Sequence, residues 1–306
     1  VAEVTVNPAI APYVPTYATY TPYISPEEFL TANTGVDTSQ LVPSGSLLTE
    51  EQALLDLLAR ASSQADRICR KPLAATVDIV SDEYRIFRDR TLRIPMPYKP
   101  IVAITAVSTG YAINALTPMT DLSGIFIKSK VARIPVASAT LPSVAFSQHP
   151  PALAAVGRLF AQVTYVNGWM HSTLASPVIA GAASISPFNV DGAVPGLPFT
   201  IKDGASTENA VIAPSYVYGS ASVPLVAPLQ YAHGAGTTVS ALPPFVKDAV
   251  IDLAKSLAKA KGSKAVVMGA INGQKITAPK TQTTEPGGDA DLARATATLL
   301  TLRRSR

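Results

Sequence analysis

Two amphipathic helical stripes, set far apart in the chain, constrain the fold more than any other feature. The first opens at Thr49-Glu50-Glu51-Gln52, a capping box in which the threonine and Gln52 satisfy the free N–H groups of a helix start. Leu54, Leu58, Ala61, Ala65 and Ile68 then recur at helical spacing, to an end near Arg70 before Pro72. The second opens at Pro243-Pro244 and carries Val246, Ala249, Val250, Leu253 and Leu257, with Gly262 as its stop. A lone helix cannot bury its own stripe, so the two are expected to pack together although more than half of the chain lies between them.

Two shorter helices follow the same logic. Ser25-Pro26-Glu27-Glu28 has a capping serine, a proline at the first helical position and a glutamate at the third, and predicts a helix to about Ala32, ended by Gly35. A last helix starts near Asp289 and puts Leu292, Ala295, Leu299 and Leu302 on one face. Between the stripes the period changes. "TVDIVSDEYRIFRD", "TLRIPM", "IVAITAVSTG", "GIFIKSK" and "LFAQVTYV" read as short antiparallel strands. After "YVNGWMHSTLA" the chain turns to Ala, Ser, Gly and Pro. There "PFTIKDGASTENAVIA" reads as strand, Asp203-Gly204 turn and strand, and "VPLVAPL" as one more strand. In the junction itself Asn167-Gly168 is the turn, Trp169 an apolar anchor and His171 a loop residue. "AVVMGAINGQKITA" holds an Asn272-Gly273 hairpin signal.

The expected architecture is α+β: a helical bundle core with two inserted antiparallel β regions and an extended N-terminal arm. Residues 1–24 form the arm, 25–75 the first part of the helical core, 76–175 a β region, 176–241 an inserted β module and 242–306 the second part of the core. In the arm Pro8, Pro12, Pro15 and Pro22 exclude a regular helix. Tyr13, Tyr17, Tyr20 and Tyr23 alternate with them and are expected to anchor in the groove of a neighbouring subunit.

Charge is sparse and uneven. Charged residues make up 15% of the chain, against about 25% in an ordinary globular domain, which points to surface covered by assembly. From Leu242 to Arg306 eleven Lys or Arg face five Asp or Glu, a net +6, while the remainder is net −2. Catalytic signatures are missing: there is no Gly-x-x-x-x-Gly-Lys-Ser/Thr loop, no His-Glu-x-x-His and no Gly-x-Ser-x-Gly elbow. One cysteine, Cys69, precludes Cys-x-x-Cys, and the three histidines lie far from it. Asp191, Asp203 and Glu208 lack the alternating ligands of a calcium loop. No enzyme, cofactor or metal is expected, nor a membrane span, because no run of about 18 apolar residues occurs.

The order of the elements resembles that of the head-to-tail connector (adaptor) proteins of tailed bacteriophages. The similar segments are "SPEEFLTANTG" with "LLDLLARASSQADRICRKPL", then "LRIPMPYKPIVAITAVSTG", "VTYVNGW", "LPPFVKDAVIDLAKSLAKAKG" and the basic-ended "LARATATLLTLRRSR". The resemblance implies a larger member with an inserted β module. It implies a homo-oligomeric ring, typically of twelve subunits, that joins the portal protein to a tail-side stopper, terminator or neck protein in the virion. The ring would be assembled in the host cytoplasm and would line a DNA channel with non-specific proximity to DNA. On that reading Leu299, Leu302, Arg303, Arg304 and Arg306 are expected to dock on the portal, because the positive charge sits beside an apolar stripe. The alternative is a surface- or carbohydrate-binding β-rich structural protein, for which the 176–241 module offers Tyr216, Tyr218 and Tyr231 as platforms.

Overall fold

The computed structural model describes residues 21–32, 34–42, 48–87, 89–128, 131–136, 158–260 and 289–303. The expected helices form where their caps put them. α1 (Pro26–Thr31) and α2 (Glu50–Cys69) each begin with a complete capping box, on Ser25 and Thr49. α2 ends at Arg70 in the left-handed conformation. α3 (Pro244–Ala260) and α4 (Ala290–Leu300) follow in the C-terminal part. The Asn272-Gly273 hairpin lies outside the described residues.

The helical-bundle expectation is corrected by the strands. Thirteen of them, in four sheets paired antiparallel throughout, outweigh four α-helices among the described residues, so the chain is mostly β. The first β region contains β1 (Thr76–Arg85), β2 (Thr91–Pro95), β3 (Ile101–Gly110), β4 (Thr117–Pro118), β5 (Phe126–Lys128), β6 (Val131–Pro135) and β7 (Arg158–Asn167). Its sheets run β1-β7-β3-β4 and β2-β6-β5. Alternation puts Leu92 and Ile94 of β2, Ile134 of β6 and Leu159, Val163 and Tyr165 of β7 into one core between them.

The module contains β8 (His171–Thr173), β9 (Ser184–Ile185), β10 (Pro198–Lys202), β11 (Glu208–Val211), β12 (Val223–Pro224) and β13 (Thr238–Ser240). One sheet runs β11-β10-β13-β8 and a two-stranded sheet pairs β12 with β9. Because β8 pairs with β13, the module's sheet starts at His171. "VPLVAPL" contributes only the two residues of β12. Met170, Leu174, Phe199, Ile201, Ile212 and Val239 fill a separate core. The physical reason for the correction is this self-sufficiency. Each β region buries its own apolar face, so neither depends on the helices for a core.

The helices build the third core. Leu57, Leu58, Ala61 and Ala65 of α2 meet Val250, Leu253 and Ala254 of α3 and Ala295 and Leu299 of α4. Asp252 and Asp291 fix α4 to α3: Arg294 donates to both carboxyl oxygens of Asp252, and Lys255 and Lys259 reach Asp291. Among the described residues no helix is long and apolar enough to cross a membrane. Leu253→Ala leaves a cavity at the centre of this helical core. We expect a loss of roughly 2–5 kcal/mol, read as a lower urea midpoint at unchanged m-value.

Candidate assembly junction

The helical core and the module meet around the root of the N-terminal arm, beside the segment that leads into the first β region. Polar side chains that the helical and strand patterns would leave facing apolar neighbours are gathered there. Tyr23 is buried. Its hydroxyl donates to Asp66 Oδ1 at 2.6 Å and accepts from the backbone N–H groups of Leu73 and Ala74 at 3.0 and 3.1 Å. Its own N–H donates to Ser62 Oγ at 3.0 Å. Ser62 and Asp66 sit four residues apart on α2, and Ser62 lies on its buried face. One tyrosine therefore fixes the arm to α2 and to the segment that leads into β1.

The first β region joins at the same place. Trp169 packs against the helical core, and its backbone pairs with Leu73 and Ala75. Gly168 makes the approach possible. Its φ is +97°, and a Cβ there would lie 2.6 Å from the Ala74 carbonyl oxygen. Lys71 is buried over Trp169, with Nζ 5.9 Å from the ring centroid, and burial holds its amine below the usual lysine range.

His171 belongs to β8 and is buried, which corrects its expected place in a loop. Its Nε2 lies 3.0 Å from the Pro22 carbonyl and 3.3 Å from that of Thr21, and its Nδ1 lies 3.0 Å from Ser240 Oγ. Carbonyls only accept, so Nε2 carries the hydrogen and Nδ1 accepts from the serine hydroxyl in the neutral ring. The ring meets Tyr23 edge-on at 5.3 Å. Burial pushes the imidazole down to about 4, against the two carbonyls, which favour the charged form. Beside it Glu28 of α1 pairs with Lys247 of α3 at 2.9 Å and Lys202 of β10 at 3.3 Å, and Glu27 accepts from the Gly204 N–H at 2.8 Å.

A second buried histidine works inside the module, not at its surface. His233 Nδ1 lies 3.1 Å from Asp203 and Nε2 2.8 Å from Glu208, whose carboxylate also accepts from the backbone of Gln230 and Tyr231. Burial opposes ionisation of Glu208, but the bonds from Gln230, His233 and Tyr231 outweigh it and hold the carboxyl below its ordinary range. Asp191 accepts from the Tyr218 hydroxyl instead. Among the described residues no group of three His, Cys, Asp or Glu side chains could hold a metal ion. Burial pushes the Cys69 thiol up to about 11, so it is a poor nucleophile. An open groove of about 490 Å³ between the end of α1 and α3–α4 is lined by Phe245, Asp252 and Arg294 among others, and those two charges already pair with each other.

The expected contact residues divide. Tyr13, Tyr17, Tyr20, Arg304 and Arg306 lie outside the described residues. Tyr23 is committed to its own chain, which corrects its assignment to a neighbour: its hydroxyl and amide both bond within the subunit. Leu299 is likewise enclosed, under α2, where its carbonyl receives the Cys69 thiol, so its side chain is not free for a portal. Leu302 is half-buried against the helical core, and Arg303 is exposed. Of the module's tyrosines Tyr216 is buried and Tyr231 exposed. Ser62 and Asp66, a polar i, i+4 pair interrupting an apolar stripe, were the legible signal for the Tyr23 seat.

No model of a known protein family matches the chain, and a search of the curated proteins finds no match.

Two outcomes are expected. Tyr23→Phe removes an acceptor of two backbone N–H groups and a donor to Asp66, at a cost of about 1–3 kcal/mol, measurable by denaturant titration. His171 binds its proton less readily in the folded chain than in the unfolded one. Stability is therefore complete above about pH 6.5 and falls as pH drops toward 4, by at most about 3 kcal/mol. Melting curves across that window should show the loss in the wild type, and His171→Gln should flatten it.

Proposed function

We propose that the chain is a structural virion protein, a subunit of an adaptor ring that joins the portal of a phage capsid to the tail or neck and lines the DNA channel. One observation carries this reading. Tyr23 at the root of the arm and Leu302 near the basic end both pack on the core that α2, α3 and α4 close together. The residues at the foot of the Tyr/Pro-rich segment and of the basic end thus belong to one core. A subunit that must hold its neighbours and the ring above it needs its reaching segments rooted in one rigid body.

The resemblance in element order supports the same reading. The segments that carry it form α1 and α2, β2 and β3, the end of β7, α3 and α4 in that order. The resemblance implies a helical bundle around the channel, and the mostly β composition departs from that. Basic residues such as the exposed Arg303 supply the portal contact, with Leu302 beside it as the apolar component.

Electron microscopy of the full chain mixed with purified portal rings tests this. We expect density seated on one face of the portal. Replacing Arg303, Arg304 and Arg306 together by Glu should lower occupancy more than tenfold, a change of at least about 1.4 kcal/mol in binding. Absence of any portal-bound density at low salt would refute the reading.

A further inference from the structure

Positive charge also gathers in the first β region. Residues 85–95 and 126–133 hold seven Lys or Arg against one acid, Asp89, although residues 1–241 as a whole are net −2. Two of the seven, Arg88 and Lys130, lie outside the described residues. These segments supply the sheet β2-β6-β5. Leu92, Ile94, Ala132 and Ile134 point into its core, so the alternate residues Arg93 and Arg133 point outward. The two arginines are direct cross-strand partners, and Phe126 of β5 pairs with Arg133 in turn. The Arg93 guanidinium lies 4.0 Å from the ring centroid of Phe87 and that of Arg133 5.5 Å from the centroid of Phe126. An aromatic–arginine–arginine–aromatic row therefore crosses the outer face, with Lys128 exposed at the end of β5.

Like charges directly opposite each other on a sheet repel. The carboxylates nearby do little to relieve them. Asp89 meets Arg93 at 3.2 Å, but both side chains are more than a third exposed, where such a pair is weak. Asp121, in the turn before β5, accepts from the Ser123 N–H, and Glu83 pairs with Arg158 in the other sheet. Among the described residues no carboxylate pairs with Arg133 or Lys128, and Nε of both arginines has no acceptor. The fold thus holds two guanidiniums together against their repulsion and leaves them short of an anion.

The geometry narrows what that anion belongs to. Both rings are already engaged by guanidiniums, so bases find no platform on which to stack, as a single-strand reader would need. What the face presents is the N–H edges of two forks and an ammonium, groups that hold phosphate oxygens and read no sequence. A protein partner would also bury an apolar centre, and the centre of this face is the arginine pair. Duplex DNA is a rigid rod with a charge about every 1.7 Å of its axis and suits an open sheet face.

We infer that the outer face of the β2-β6-β5 sheet binds the phosphate backbone of duplex DNA through Arg93 and Arg133, with Lys128 beside them. The inference deepens the adaptor reading and rests on it for the presence of duplex DNA, while the binding is a property of the chain alone.

The test is fluorescence anisotropy of the full chain with labelled duplexes of two unrelated sequences over a range of salt concentrations. Both duplexes are expected to bind alike, with log affinity falling linearly against log salt. Arg93→Gln with Arg133→Gln should weaken binding roughly tenfold and lower the salt slope by about two, since each lost phosphate contact removes close to one. Arg60→Gln, an exposed arginine of α2, should change neither. A urea titration reports whether the double variant folds. Should it not, Lys128→Gln at its exposed position is expected to lower the slope by about one. Failure of wild type to bind duplex DNA at low salt overturns the inference, yet leaves the portal experiment free to succeed. An unchanged slope in a folded variant overturns it as well, because the DNA then sits elsewhere, and so does tighter binding of single strands than of duplex. If polyglutamate binds wild type better than DNA does and loses that binding in the double variant, the face takes an acidic protein segment and the inference is wrong.

Discussion

The hydroxyl of Tyr23 is the interaction on which the rest of the structure depends. One oxygen donates to Asp66 and receives the amides of Leu73 and Ala74 at the point where α2 gives way to β1. Buried amides without acceptors are costly, and the chain there has left its helix without having entered its strand. Ala74 is satisfied by the arm's tyrosine and Leu73 by that tyrosine together with Asp66, which makes the arm part of the joint. The same turn brings Trp169 against the helices and His171 under the Thr21 and Pro22 carbonyls. The helical core, the module and the chain entering the first β region are thereby held at one locus.

Scarcity of charge gives that locus its character. Near it Glu28 faces inward and connects pieces, α1 to Lys247 of α3 and to Lys202 of β10, while Asp252 with Arg294 and Asp203 and Glu208 with His233 act within single pieces. Partly buried pairs with several partners set orientation more than they add stability. Several large apolar side chains, Ile79, Phe188 and Val217 among them, stay exposed, which favours covering by protein.

Local chemistry was legible in the sequence and long-range burial was not. Both capping boxes, at Ser25 and Thr49, announce their helices because each cap is satisfied within three residues. The Asp203-Gly204 turn between β10 and β11 is equally local. His171 could not be read because its partners, Pro22 and Ser240, lie 149 and 69 residues away. Leu299 illustrates the complementary problem. An apolar stripe states that it will be covered and is silent on what covers it, here α2 of the same chain and not a second protein. The weight of β structure was hidden for a related reason. Short strands with modest alternation carry little signal singly, and only their pairing reveals that each group encloses a core of its own.

The bond from the Cys69 thiol to the Leu299 carbonyl spans 230 residues. On the ribosome α2 is made before both β regions, and α3 and α4, which cover its stripe, are made after them. The β module, whose core draws only on residues from Met170 to Ala241, is complete before either helix has left the exit tunnel. The nascent chain thus carries a finished β module beside an open helical face until α3 and α4 follow. That interval is the one in which a chaperone has most to bind, and a chain missing α3 and α4 would keep the stripe exposed.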